Sequence, residues 1–372
     1  MSASPRTPVC LDDFEPLAAA RISSAAYDYY RSGAGDERTL DRNRDAFDRI
    51  LLRPRVLRDV STLDTSTSLF GSRYDAPLIV APTAFHGLAD PGGEVTTAGA
   101  AAGAAIGFCM ATLANRTIEE VAAASGAGPR WFQLYLFRDR DWSADLIDRA
   151  TAAGFEAIVV TVDAPVLGRR EADIRRGFEL PPRLTIANAP RSVLRGSIGN
   201  SGLAAYFASM LDPGLDFTAL EWLVRRSPLP VLVKGVLRGD DAQAAVESGA
   251  AGVIVSNHGG RQLDTTIASI EALPAIRRAV GAEVPVLVDG GVRRGIDVVK
   301  ALPCGADAVL LGRPILYALA AAGSNGVEQA VAILTGELRE AMALRGATSL
   351  AGLDQGLIAS ESPDGLGYAA WQ

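Results

Sequence analysis

Lysine is almost missing from this chain: of 36 basic residues, only Lys234 and Lys300 are lysines. Histidine is as scarce, with His86 and His258 alone. Three scattered cysteines, Cys10, Cys109 and Cys304, form no CxxC pair. Two histidines and no CxxC exclude the usual donor sets, so no metal site is expected. Cys109 and Cys304 lie beside apolar runs and read as buried thiols in a reduced, cytosolic protein without structural disulfides. No apolar run reaches the roughly 18–20 residues of a membrane span. The start "MSASPRTPVC" lacks the apolar centre of a signal peptide, and the end "YAAWQ" carries no evident address. A net charge of −7 and a pI near 5.1 argue against a nucleic-acid surface. A GxGxxG after the first strand-like run is also missing, where "APTAFHG" stands instead, so a doubly wound dinucleotide fold has no support.

What is present is a repeat. Eight short apolar runs end in glycine or polar residues: 77–84, 106–112, 130–136, 157–163, 231–235, 252–257, 284–291 and 308–313. Most are continuous and not alternating, which predicts strands buried on both faces of a parallel sheet. Stretches of helix-forming composition lie between them, several opening on Ser, Thr or Asp as N-caps. Eight such alternations predict an α/β fold, a (β/α)8 TIM barrel, as one domain over residues 1–372. Residues 1–76 predict an N-terminal helical extension. Residues 177–217, rich in Gly, Pro, Ser and Asn, predict a mobile lid insertion after the fourth strand. The run 326–346 places Val327, Val331, Leu334, Leu338 and Met342 on one face of a closing helix.

Active sites of such barrels form at the C-terminal strand ends. Here those ends carry Thr83, Thr112, Gln133 with Tyr135, Thr161 with Asp163, Lys234, Ser256 with His258, Asp289 and Arg313. A single polar residue at a strand end need mean no more than an exit into a loop. Placement at all eight ends argues for a site. "DGGVRRG" after the seventh strand and "GRP" after the eighth supply glycine backbone, Arg293 and Arg313 where barrels of this kind hold a phosphate.

In chain order, "APTA", "FQLY", "TVDAPVLGRREAD", "VKG", "SNHGGRQLD", "DGGVRRG" and "GRP" resemble the flavin mononucleotide (FMN)-dependent 2-hydroxy-acid oxidases and dehydrogenases. The resemblance runs from "YDYYRSGAGDE" to the C-terminal helix. It implies oxidation of an (S)-2-hydroxy acid to the 2-oxo acid, with O2 as acceptor giving H2O2, or a dehydrogenase with another electron acceptor. It implies that Pro82, Thr83 and Ala84 line the flavin. Thr112, Gln133, Thr161, Lys234 and Ser256 would bond its ring and ribityl chain. Asp289, Gly290, Gly291, Arg293, Gly312 and Arg313 would hold ribityl and phosphate. Arg170, Arg261 and Tyr29 would bind the substrate carboxylate, and Tyr135 its hydroxyl. His258 would be the catalytic base, with Asp163 behind it. A homotetramer is the implied assembly, with neither membrane nor nucleic acid as partner.

Ala111 departs from the family's frequent serine and cannot hydrogen-bond the flavin, leaving Thr112 to do so. His86 reads as a solvated loop histidine. Phe85, Leu113 and Leu167 are expected to border the substrate pocket. Apolar walls favour a larger or aromatic, mandelate-like substrate over glycolate. An FMN barrel isomerase and a flavin carrier without turnover are the competing readings.

Overall fold

The apolar runs form the strands of a closed barrel in a computed structural model that describes residues 7–190, 211–361 and 368–369. Its strands are β4 (Leu78–Val80), β5 (Gly107–Met110), β6 (Arg130–Leu134), β7 (Ala157–Thr161), β8 (Val231–Val236), β9 (Gly252–Val255), β10 (Val286–Asp289) and β11 (Ala308–Leu311). Every neighbouring pair is parallel, and β11 closes onto β4. The strands are shorter than the sequence runs because the polar ends belong to loops. Residues two apart share a face. Ile79, Cys109, Trp131, Val159, Leu232, Ile254, Leu287 and Leu310 fill the interior. Their neighbours Val80, Phe108, Phe132, Val160, Val233, Val255, Val288 and Val309 pack outward against helices. Both faces are buried, hence the continuous runs.

The helices are α1 (Phe14–Ala19), α2 (Ser24–Arg31), α3 (Arg38–Asp48), α4 (Glu94–Gly103), α5 (Ile118–Ser125), α6 (Arg140–Ala152), α7 (Glu171–Arg176), α8 (Phe217–Arg226), α9 (Gly239–Glu247), α10 (Ser269–Val280), α11 (Gly295–Ala301) and α12 (Arg313–Arg345). Composition identified α4–α6 and α9–α11. The short α7, which begins inside "GRREAD", and α8 escaped it. α12 breaks at Ala322 and Gly323, and the face from Val327 to Met342 in its second half is buried as expected.

The region before the barrel is not helical throughout. β1 (Ile50–Leu52) pairs antiparallel with β12 (Ile358–Glu361). β2 (Thr67–Leu69) and β3 (Ser72–Tyr74) form a hairpin whose Leu69 and Tyr74 join the interior cluster with Trp131. Three-residue strands are too short for a period to register in sequence.

The insertion differs from its expected bounds. Ile186 is fully buried, and Asn188 is tied into the barrel. The Asn188 side chain accepts from Ile118 N at 3.1 Å and donates to Arg116 O at 3.0 Å. At the far end, Leu211 bridges to Phe137, and Arg140 pairs with Asp212 at 2.6 Å. The insertion is therefore anchored at Ile186 and Asn188 and again at Leu211 and Asp212, and 191–210 lie outside the described residues. Cys109 and Cys304 are buried free thiols. Among the described residues, no helix is long and apolar enough to cross a membrane.

Candidate active site

Strand parity builds the floor of the site. One step above each interior residue, two positions on, stand Ala81, Ala111, Gln133, Thr161, Lys234, Ser256, Asp289 and Gly312. Above them opens a cavity of about 720 Å³ at the C-terminal ends of the strands. Its walls include Tyr29, Pro82, Thr83, Ala84, Gln133, Tyr135, Thr161, Arg170, Lys234, His258, Arg261, Asp289, Gly290, Gly291, Arg293, Gly312 and Arg313.

The first cluster is a charge relay at the floor. Lys234 Nζ donates to Ser256 Oγ at 2.9 Å and pairs with Asp289 Oδ2 at 2.9 Å. Burial opposes the lysine charge, but Asp289 and Asp163 outweigh it and hold Lys234 above its ordinary range. A buried ammonium held charged in this way stabilises negative charge that develops near it.

His258 leaves the end of β9 in the left-handed region, φ +59°, which is strained for a residue with a side chain. Its backbone N donates to Ser256 Oγ at 3.0 Å, and its Nδ1 lies 2.8 Å from Asp163 Oδ1. Burial pushes the imidazole below its ordinary pKa, with Asp163 acting against the shift. For Asp163, burial opposes ionisation, and the adjacent His258 and Lys234 outweigh it, so the carboxyl stays ionised. An ionised carboxylate only accepts, so Nδ1 carries the hydrogen and Nε2 keeps a free lone pair. A neutral imidazole with an anion behind it can take a proton and be stabilised once charged. β8 bulges at Gly235, whose φ is +113°, and a Cβ there would lie 2.6 Å from Asp163. The bulge makes room for the carboxylate. Gln262 Nε2 donates to Asp163 O and Val166 O, fixing the same loop.

The second cluster is cationic. Arg261 donates to Tyr29 O and Ser32 O, and its guanidinium stands 5.1 Å from the Tyr29 ring centre. Burial, with Arg170 beside it, presses Arg261 well below the usual arginine range. Two guanidinium groups side by side in a cavity suit a planar anion such as a carboxylate. Tyr135 is held protonated by burial and faces the same cavity. Asp173 also lines it, its carboxyl raised by burial.

The third cluster lies at the ends of β10 and β11. Arg313 donates to Tyr30 O, Gly259 O and Ser32 O, and Arg293 to Val292 O. α12 starts here, with Gly312 at its N-cap, adding the positive end of a helix. Gly291 has φ +92°, and a Cβ on it would meet Asn43 O at 1.9 Å, so only glycine fits.

Four buried polar atoms of the predicted site have no protein partner: Gln133 Nε2, Asp163 Oδ2, Arg170 Nε and Asp289 Oδ1. Gln133 Oε1 is occupied by Thr112 N at 3.1 Å, which holds the amide donor unused. Orphaned groups of this kind call for a ligand. Donors for a polar ring edge, an acceptor for a polyol and arginines for a phosphate fit FMN.

Two sequence expectations are corrected, those for Thr112 and His86. Thr112 does not line the cavity: parity turns it outward, and its hydroxyl donates to Gln133 O and accepts from Tyr135 N. Ser256 stands on the inward row below the cavity wall, its hydroxyl accepting from Lys234 Nζ and His258 N and keeping its own hydrogen. His86 is not solvated but 1% exposed, bound between Thr83 and Thr97. Asp163 lies behind His258, as a supporting carboxylate should. Sequence reading missed Asp173, Phe178, and Asn43, which exchanges amide bonds with Asn257. Only tertiary contact reveals them.

A family model described as FMN-dependent dehydrogenase matches residues 18–360. The chain belongs to the FMN-dependent dehydrogenase family. Its cofactor is accordingly FMN. An L-lactate oxidase from a Nostoc species is 50% identical over 360 residues, covering 95% of this chain and 98% of its own. Glycolate oxidase 1 of Zea mays is 48% identical over 352 residues, covering 94% and 95%. A mandelate oxidase solved with (S)-4-hydroxymandelic acid superposes with a TM-score of 0.89 at 42% identity, covering 93% of this chain and 97% of that one.

Proposed function

We propose that this family member oxidises an (S)-2-hydroxy acid to the 2-oxo acid and passes the electrons to O2, giving H2O2. The observation that carries the reading is the convergence in one cavity of Arg170, Arg261 and His258, the last backed by Asp163. Arg170 and Arg261 bind the substrate carboxylate, with Tyr29 beside Arg261. Tyr135 donates to the substrate oxygen and fixes the hydroxyl-bearing carbon. His258 Nε2 takes the proton, and Asp163 stabilises the imidazolium that results. FMN, when bound, supplies the two-electron acceptor. Pro82, Thr83, Ala84, Gln133, Thr161 and Lys234 hold its ring. Asp289, Gly290, Gly291, Arg293, Gly312 and Arg313 hold its polar tail.

The substrate side chain is apolar and larger than methyl in this reading. Phe85, Leu113, Leu167, Ile174, Phe178 and Leu211 line the cavity. Phe178 stacks on Tyr29 with ring centres 4.4 Å apart. A glycolate-sized substrate leaves that wall in water. The test mixes the oxidised holoenzyme anaerobically with (S)-mandelate, (S)-lactate and glycolate, follows flavin bleaching, and then admits O2. Mandelate should reduce fastest, with H2O2 formed on reoxidation. Faster reduction by lactate or glycolate removes the substrate assignment. Slow reoxidation by O2 but fast reoxidation by a quinone or dye makes the protein a dehydrogenase. A cytosolic homotetramer completes the reading; light scattering should give four times the 38.9 kDa chain mass.

A further inference from the structure

We propose that His86 is a positioning residue that fixes the Thr83 hydroxyl as a hydrogen-bond acceptor toward the cavity, biasing the site toward reduced FMN. Thr83 stands in the cavity wall, and His86 lies behind it, outside the cavity. His86 Nε2 is 2.7 Å from Thr83 Oγ1, and its Nδ1 is 2.8 Å from Thr97 Oγ1. The histidine is clamped further: its backbone N donates to the buried Glu94 at 3.1 Å, and the Phe108 ring meets its imidazole edge-on.

Hydrogen accounting sets the polarity. Thr97 sits on α4 and turns its one hydroxyl hydrogen back to Gly93 O at 3.4 Å. Its oxygen therefore accepts from His86 Nδ1. Burial lowers the His86 pKa to about 3, so the ring is neutral at working pH and has one N–H only. Nε2 is left as an acceptor, and the Thr83 hydrogen must point at it. The Thr83 oxygen then offers only lone pairs to a ligand. Reduced isoalloxazine carries an N–H where the oxidised ring has a bare nitrogen, so an accept-only oxygen would favour the reduced form wherever that edge of the ring faced Thr83. The inference rests on the proposed placement of the FMN ring against Thr83 and not on the substrate assignment.

The test is the midpoint potential of bound FMN, measured by dye equilibration without substrate. Variants are His86→Leu, His86→Gln, Thr83→Val and the Thr83→Val/His86→Leu double, each checked for fold by circular dichroism. One neutral hydrogen bond is worth roughly a three- to tenfold change in the ratio of reduced to oxidised FMN affinity. At two electrons that is about 15–30 mV. His86→Leu and Thr83→Val should each lower the potential by this amount, and the double variant should add nothing to Thr83→Val. His86→Gln, which keeps one donor and one acceptor, should restore part of the loss. An unchanged or raised potential in Thr83→Val or His86→Leu, or additive shifts in the double variant, overturns the proposal. Thr83→Val decides it even where a His86 variant does not fold.

Discussion

His258 and Asp163 divide one task, and substitutions should separate their shares. A positioned base contributes about 10²–10⁴-fold to rate. His258→Gln should keep flavin and fold but slow anaerobic flavin reduction by that range, whereas Asp163→Asn should slow it by less. A parent-like bleaching rate in His258→Gln assigns the base to another group. Because burial depresses the His258 pKa, the base is already unprotonated at neutral pH. The acid limb of the reduction rate should therefore fall below the ordinary histidine value of about 6.5. A limb centred above that value contradicts the burial argument. Arg261→Lys keeps charge but loses the planar fork that bonds Tyr29 O and Ser32 O. Loss of a charged hydrogen bond should cost about 1.5–3 kcal/mol in kcat/KM. Unchanged kinetics with every reactive hydroxy acid places Arg261 outside the site.

Single elements carry their own tests. Asn188 ties the insertion to α5 and α6 through Ile118 N, Arg116 O, Arg149 and Trp142 Nε1. Asn188→Ala strands the buried Ile118 N–H, at a cost of about 1–3 kcal/mol, and frees the half-buried Arg116 C=O. Urea unfolding should show the midpoint fall with an unchanged slope, and an unchanged midpoint refutes the anchoring role. His86 within the loop before α4 gives stability a pH signature. Its folded pKa of about 3 lies below the unfolded value of about 6.5, so its contribution is full above the latter and declines as pH falls toward the former. His86→Gln should therefore flatten the stability loss between those pH values. The same slope in parent and variant shows that His86 is not buried neutral. Elements also explain one misreading: Thr112 looked like a strand-end ligand, yet the inward row through Cys109 and Ala111 excludes it by parity.

At the scale of the whole molecule, cofactor and fold are linked, because FMN binds the assembled barrel and not the unfolded chain. Free FMN at one hundred times its Kd should stabilise the stripped protein by about 2.7 kcal/mol. Melting temperature should rise with FMN and not with FAD at equal concentration, and equal responses would falsify the single-phosphate site built around Arg293 and Arg313. The sequence by itself determined the barrel, since eight doubly buried strands leave a period that no loop or surface disguises. It also determined which residues meet at the cavity, because "SNHGGRQLD" and its partner motifs are local and every barrel strand delivers its end to one mouth. Only tertiary structure decided what lies behind that mouth. The His86–Thr97 clamp, the Asn43–Asn257 pair and the Phe178 stack join residues from 11 to 214 positions apart. Such contacts depend on which faces pack together, and a linear pattern carries the faces but not their partners.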